Sequence, residues 1–153
     1  MVKSQAQRLA PADDGGGYVL EQQAGHLLRR AHQRHTAIFQ RLIGDSQLTP
    51  LQFAALVKLR DLGEVSQNQL GRLTAMDAAT MQGVIKRLAA RGLIARRADP
   101  KDRRRLILNL SREGEAVIER AVESGAEITR ATLEPLSPAE QRSLLALLAR
   151  IAE

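Results

Sequence analysis

Apolar residues recur at helical spacing along most of the 153-residue chain. Over residues 18–43 they share one face, which predicts a first helix, and the polar and glycine residues at 44–46 end it. Thr49 followed by Pro50 is a typical helix start, so a second helix should run from there to a stop at Gly63.

Two further start signals follow in the middle of the chain. Ser66 should cap a short helix over 67–73, and Asp77 should cap a longer one that Gly92 ends. The turn between them is short, which is typical of a helix-turn-helix. The second of these helices has an apolar face that predicts its buried side, formed by Met81, Val84, Ile85 and Leu88.

A β-hairpin is predicted directly after this pair of helices. Residues 93–97 and 106–110 flank a turn-rich segment at 99–102, and the second stretch alternates Leu with other residues. The connecting loop is longer than a two-residue turn. Its basic side chains should therefore lie at the tip of the hairpin.

Two helices should complete the chain. Ser111 starts a long one that reaches about Leu133, and the Ser137-Pro138-x-Glu140 capping box starts the last. The last helix carries more leucine than a small domain needs for its own core. We expect one face of the long helix to pack inward through Val117, Ala121, Ile128 and Thr132.

Composition excludes several classes of protein. The chain has no cysteine, so disulfide scaffolds, thiolate metal sites and thiol redox sensors are excluded. Its three aromatic residues are too few for the stacking platforms that bind single-stranded nucleic acid. Neither a secretory signal nor an apolar run of the roughly 20 residues that span a bilayer is present. The expected location is the cytoplasm.

Positive charge concentrates in the middle of the chain. The net charge of +6 divides into +3 for residues 1–63, +6 for 64–110 and −3 for 111–153. Six of the ten residues from Arg96 to Arg105 are basic. Such a run can be a solvated surface, and equally a contact for duplex DNA, RNA or another anionic partner. Its position on a hairpin behind a helix-turn-helix favours duplex DNA.

This arrangement is a winged helix, mostly α with a small β-hairpin wing. A helix fits the major groove of DNA and presents side chains to base edges, while wing cations meet phosphates or a narrow minor groove. Each residue named here could also be an ordinary exposed helical residue. The base-contact candidates are Ala78, Ala79, Thr80 and Gln82, and the phosphate candidates are Lys86 and Arg87.

The chain resembles the multiple-antibiotic-resistance regulator (MarR) family. The residues that carry this are Leu88-x-x-x-Gly92-Leu93-Ile94, Asp99-Pro100-x-Asp102-Arg103-Arg104 and Leu106-x-Leu108-x-Leu110-Ser111-x-x-Gly114. The resemblance implies that Arg104 enters the minor groove with Asp102 as its orienting partner. It implies phosphate contacts for Lys101 and Arg103. Ser111 stands where the family more often has Thr, and a Ser hydroxyl can cap a helix equally well.

The resemblance also implies a homodimer whose terminal helices interleave. The expected parts are a flexible tail at 1–17, an N-terminal dimerisation helix at 18–46, the winged helix-turn-helix at 47–110 and C-terminal dimerisation helices at 111–153. The surplus leucine of the last helix agrees with this. Such a dimer would read a pseudo-palindrome with half-sites about 34 Å apart.

MarR-like regulators typically leave DNA when a small aromatic ligand binds, and the Arg/His-rich first helix resembles that of regulators of aromatic-acid catabolism. The effector would be an aromatic acid or its CoA thioester. His35 could equally be a hydrogen-bonded interface histidine, and the arginines a solvated surface. The candidate ligand contacts are Arg30, Arg34, His35, Phe39 and Phe53.

No catalytic constellation, cofactor motif or metal-ligand set is recognisable, so an enzyme is not expected. The expected function is a ligand-responsive transcriptional repressor that binds duplex DNA as a dimer, with no membrane partner. The alternative is an architectural duplex-binding protein that senses nothing. The first-helix cluster of Arg and His favours the sensor, because simple DNA coating has no use for it.

Overall fold

The structure is a computed structural model that describes residues 17–45 and 47–153. These residues form six α-helices and a three-stranded antiparallel sheet, which confirms the predicted winged helix-turn-helix. The tail predicted for residues 1–17 lies outside the described residues, apart from Gly17. The elements are α1 (Ala24–Leu42), α2 (Pro50–Leu62), β1 (Glu64–Ser66), α3 (Gln67–Leu73), α4 (Ala78–Ala90), β2 (Ile94–Ala98), β3 (Leu106–Leu110), α5 (Arg112–Leu133) and α6 (Pro138–Ile151).

The first helix begins later than the apolar pattern predicts. A single 3-10 turn spans Leu20–Gln22, and Gln23 then takes an extended conformation with φ −81° and ψ 136°. An extended residue interrupts the helical hydrogen-bond ladder, so α1 starts at Ala24 rather than near Tyr18. The prediction of one continuous helix from Tyr18 was therefore wrong for its first six residues.

The five predicted N-caps are all present. In each, the cap side chain accepts a hydrogen bond from the backbone N–H three residues later, which would otherwise have no partner within the helix. The Asp77 carboxylate accepts from Thr80 at 2.7 Å and starts α4. Thr49 and Ser137 form complete capping boxes with Gln52 and Glu140. Local sequence chemistry thus sets where these helices begin.

The hairpin of β2 and β3 pairs Ile94 with Leu110 and Ala98 with Leu106. A third strand, β1, pairs with the other edge of β3, with Val65 opposite Leu108. The sequence did not predict β1, because three residues are too few to show alternation. Its role is to hold the base of the wing against the start of α3, since Ser66 is both the last residue of β1 and the α3 cap.

One continuous core lies under α4 and the sheet. The four apolar α4 residues predicted to be buried are buried, with exposed fractions of at most 3%. On α5 the fully buried position is Ile118, while Val117 packs only partly against the core. Ala121 and Ile128 are buried as predicted, and Thr132 is half-buried. The inward face of α5 is therefore rotated slightly from the predicted one.

Helix α6 has no buried residue in the single chain. Leu145, Leu147 and Ile151 are exposed by 50%, 54% and 70%. Several large apolar side chains exposed on one helix that has no buried residue indicate an interaction surface. Among the described residues, no helix combines the length and apolarity needed to cross a bilayer.

The end of α4 and the start of α5 meet at very close range. The Ser111 hydroxyl donates to the Gly92 carbonyl at 2.6 Å, and the Ser111 N–H donates to the Leu93 carbonyl at 3.0 Å. Gly114 lies against the Leu93 carbonyl, and a Cβ atom on Gly114 would come within 1.9 Å of the Leu93 oxygen. Only glycine allows this approach, since the contact is with backbone that cannot rotate away.

Replacing Gly114 with Ala should therefore destabilise the fold by about 2–3 kcal/mol, because α5 must move off Leu93. The matched control is Gly83→Ala in α4, where the added methyl meets only the Arg87 side chain at 3.6 Å. That variant should gain up to about 1 kcal/mol from helix propensity. Urea unfolding at one protein concentration measures both. Equal midpoints for Gly114→Ala and the unmodified chain would contradict the assignment.

Candidate DNA interface and effector site

Helix α4 presents its polar side to solvent. Ala78, Ala79 and Gln82 are exposed, as are Lys86 and Arg87 one turn later. Thr80 is half-buried and its N–H is held by Asp77, so its side chain is the least available of the predicted base contacts. The predicted surface is thus accessible except at Thr80.

A tight turn sets the angle between α3 and α4. Ala75 adopts φ 53°, and the Met76 N–H donates to the Gly71 carbonyl at 2.9 Å. A Cβ atom on Gly71 would lie 3.2 Å from the Met76 oxygen, so this position also favours glycine. The turn places the N-terminus of α4 at the surface, as groove insertion by a recognition helix requires.

Hydrogen bonds within the wing loop give it a defined shape. Asp99 and Arg105 close the loop through the Asp99 N–H and the Arg105 carbonyl at 2.9 Å. The Asp102 carboxylate accepts the Arg104 backbone N–H at 3.0 Å, and no described ion pair joins it to the Arg104 guanidinium. Asp102 therefore orients Arg104 through the Arg104 backbone. The family resemblance implied that Asp102 orients Arg104 but not which atoms make the contact.

The wing cations remain largely free of internal partners. Among the described residues, Arg105 pairs with Asp99 at 3.8 Å and Arg97 with Glu64 at 2.9 Å. Lys101, Arg103 and Arg104 are exposed and have no such ion pair. Three uncompensated charges at the tip of a hairpin form a cationic surface suited to phosphate.

A second cluster joins α1 to the C-terminal part of α5. The Nδ1 atom of His35 lies 2.9 Å from the Thr132 hydroxyl oxygen. That hydroxyl has one hydrogen, which it donates to the Ile128 carbonyl at 2.8 Å. With that hydrogen on the Ile128 carbonyl, His35 is the donor in this pair and its ring proton lies on Nδ1. The Nε2 atom of the neutral ring is left with a lone pair that can accept a hydrogen bond.

The neutral state of His35 is also favoured by its surroundings. Burial lowers its pKa below the ordinary value of 6.5, and the nearby His32 lowers it further. Near pH 7 the ring is therefore a neutral acceptor at Nε2.

Arg34 packs beside this histidine and holds the last turn of α5. Its Nη1 atom donates to the Thr132 carbonyl at 2.5 Å and its Nη2 atom to the Ala131 carbonyl at 3.3 Å. A cation near helix C-terminal carbonyls is stabilising. Part of the Arg34 donor capacity is therefore used by these carbonyls, although Arg34 is exposed, as Arg30 is.

Of the two candidate phenylalanines, Phe39 lies one helical turn further along α1 and Phe53 lies on α2. Phe39 is 2% exposed and meets Phe53 edge-on, with ring centroids 5.8 Å apart and an interplanar angle of 70°. Gly125 of α5 makes room for this pair, because a Cβ atom there would lie 3.1 Å from Phe53. Sequence reasoning missed Gly125, and also the partner role of Thr132, because both contacts join residues far apart in the chain.

An ion pair connects this region to the end of α4. Arg91 Nη2 lies 2.6 Å from a carboxylate oxygen of Asp45, which follows α1. Burial opposes the charge on Asp45, but hydrogen bonds from Arg91 and from the Gln47 N–H lower its pKa overall. The C-terminal end of the recognition helix is thus fastened to the α1–α2 connection.

The sequence model of the MarR family matches residues 48–106. The repressor NicR of Pseudomonas putida is 40% identical over all 153 residues and 96% of its own length. The chain belongs to the MarR family. It is a DNA-binding transcriptional regulator, as predicted, and the match falls on the helix-turn-helix and wing described above.

Solved structures of MarR-family proteins show the same fold. BpsR of Bordetella bronchiseptica, whose DNA binding is regulated by 6-hydroxynicotinic acid, is 46% identical with a TM-score of 0.85, covering 90% of this chain and 99% of its own. PcaV of Streptomyces coelicolor, in complex with its natural ligand, is 31% identical with a TM-score of 0.84, covering 90% and 97%.

Removing the wing arginine should weaken DNA binding by this MarR-family protein. Arg104→Ala is expected to lower affinity for duplex DNA and to make the salt dependence of log K less steep, because fewer counterions are released. Fluorescence anisotropy at several salt concentrations measures both quantities. Arg130→Ala removes an equal charge from α5 and serves as the control. Unchanged affinity and slope in Arg104→Ala would refute the wing assignment.

The His35 environment predicts a pH effect on stability. Between pH 6.5 and its lowered pKa, His35 is protonated in the unfolded chain but not in the folded one. The unfolded state then binds more protons than the folded state. The stability that the neutral His35 contributes is therefore fully present above pH 6.5 and is lost as the pH falls through the lowered pKa. Chemical unfolding from pH 8 to 5 should show this loss. His35→Gln should reduce it and His26→Gln should not; an identical pH profile in His35→Gln would disprove it.

Proposed function

We propose that this MarR-family regulator is a repressor that binds a pseudo-palindromic operator as a homodimer and is released by a small hydroxylated aromatic carboxylic acid. The observation that carries the effector class is the free acceptor at His35 Nε2 beside an arginine-rich helix face. The regulation of BpsR by 6-hydroxynicotinic acid supports the same class.

The DNA-reading surface comprises α4 and the wing. In the proposed complex, Ala78, Ala79 and Gln82 meet base edges, and the free wing cations meet phosphates and the minor groove. Thr80 contributes less than its neighbours, because it is half-buried beside its cap. Two copies related by a two-fold axis place two α4 helices about 34 Å apart, one turn of DNA.

Dimerisation is assigned to the ends of the chain, with the boundaries 18–46 and 111–153, and DNA binding to 47–110. The exposed leucines of α6 support this, since they have no cover within one chain. Exposed apolar residues near the start of α1, such as Leu20 and Leu28, also need a second chain to cover them. Because a regulator of this kind acts on DNA, the cytoplasm is the proposed location.

The effector site is proposed between α1, α2 and α5. A ring hydroxyl or ring N–H of the acid would donate to His35 Nε2, which is the complementary role. The carboxylate would pair with Arg30 or with the remaining N–H groups of Arg34, which uses two of its five donors internally. Phe53, which is half-buried, would supply the apolar wall, with the buried Phe39 packed edge-on behind it. We favour the free acid over its CoA thioester, because the free acid has the carboxylate that these arginines bind and is much smaller.

Operator release by a panel of acids tests the proposal. An operator is first selected from a random duplex pool, and 6-hydroxynicotinate, nicotinate, 4-hydroxybenzoate and benzoyl-CoA are then added to the complex. We expect release by an acid that carries a ring donor, and much weaker release by nicotinate, which lacks one. If no compound changes operator affinity, the sensor assignment fails and the architectural alternative is favoured.

The variant Thr132→Val locates the effector site. It removes the acceptor of the His35 N–H at nearly constant volume, so the ring loses its fixed tautomer. The effector concentration for half-release should rise about fivefold to tenfold, the effect of one hydrogen bond. Thr129→Val, exposed on the same helix, is the matched control. Equal half-release concentrations in the two variants would place the effector elsewhere.

A further inference from the structure

The first two turns of the recognition helix carry almost no side chain at the centre of their outward face. With 100° per residue, the positions opposite the buried face of α4 are Ala79, Gly83, Lys86 and Ala90, and the first two of these lie in its N-terminal half. Ala79 offers a methyl group and Gly83 offers nothing. A helix with small residues there can approach the floor of the major groove closely, but these two positions cannot form side-chain hydrogen bonds to a base.

Arg87 fills the space above Gly83. Its Nη1 atom lies 3.6 Å from the place that a Cβ atom on Gly83 would occupy. Gly83 is accordingly half-buried, while Gln82 and Lys86 on the same surface are exposed. This direction is the normal one, since helical side chains lean toward the N-terminus and residues four apart are neighbours.

The guanidinium is also available for a partner outside the chain. Arg87 is exposed, and no acidic group in the described part of the chain forms an ion pair with it. Its Cα lies toward the flank of the helix, yet its charged end lies at the centre of the outward face. For a contact with the phosphate backbone, the guanidinium would have to point away from the groove floor, toward the flank of the helix.

We propose that Arg87 reads a base, donating in a bidentate manner to the O6 and N7 atoms of a guanine in each half-site. This inference rests on the proposed function and deepens it. Arginine with guanine is the commonest specific contact in the major groove, because the planar fork matches the two acceptors. Gly83 leaves room for this position, since a side chain larger than that of alanine would occupy the space that the guanidinium takes.

The test compares base preference in Arg87→Ala and Lys86→Ala. The operator selected by the unmodified protein should contain one G·C pair per half-site that disappears from the selection with Arg87→Ala. Replacing that pair by A·T should weaken the unmodified protein and Lys86→Ala about 5-fold to 100-fold. The same replacement should leave Arg87→Ala almost unaffected. Both side chains are exposed, and thermal melting checks that both variants are folded.

Two outcomes would overturn the inference. If Arg87→Ala binds the operator, its A·T variant and random duplex more weakly by one common factor, with a salt slope less negative by about 0.9, Arg87 is a phosphate contact. The proposed function then stands. If Arg87→Ala, Lys86→Ala and Arg104→Ala all bind like the unmodified protein, α4 and the wing are not the DNA surface, and the proposed function fails as well.

Discussion

The contact between Gly114 and the Leu93 carbonyl is the constraint on which the DNA-binding half depends. The chain leaves α4 at Gly92, makes the whole wing and returns to start α5 at the same point. Ser111 closes this loop with two hydrogen bonds, one through its hydroxyl and one through its N–H. The recognition helix, the wing and α5 therefore share one rigid junction, and the angle between the two DNA-binding parts is set there.

Helix α5 is the element common to both candidate sites. Its N-terminus forms that junction, and its last turns hold His35 and Arg34 through Thr132 and its neighbours. The Asp45–Arg91 ion pair supplies a second route from the end of α1 to the end of α4. A displacement of α1 would act on both connections, which gives the two candidate sites a continuous path of contacts without a shared side chain.

What the sequence could predict was local. Caps such as Asp77 act on N–H groups three residues away, and the burial of α4 follows from its 3.6-residue period, so both were predicted correctly. The strand β1 pairs with residues more than forty positions away, and His35 meets Thr132 across 97 positions. No local pattern encodes such contacts. The Asp102 contact was open to prediction, because an Asp that accepts the N–H two residues on is a common turn.

Release from DNA requires more than an effector that fits. A ligand shifts the regulator off its operator only by the ratio of its affinities for the free and the DNA-bound conformations. A 100-fold loss of operator affinity therefore needs about 2.7 kcal/mol of difference between those conformations. The His35 hydrogen bond to Thr132 lies across the α1–α5 contact, so an effector bound at Nε2, as proposed, would sense the spacing of these helices. A ligand in that position could bind the free and the DNA-bound conformations with different affinities, which a ligand in a pocket within one rigid unit could not do.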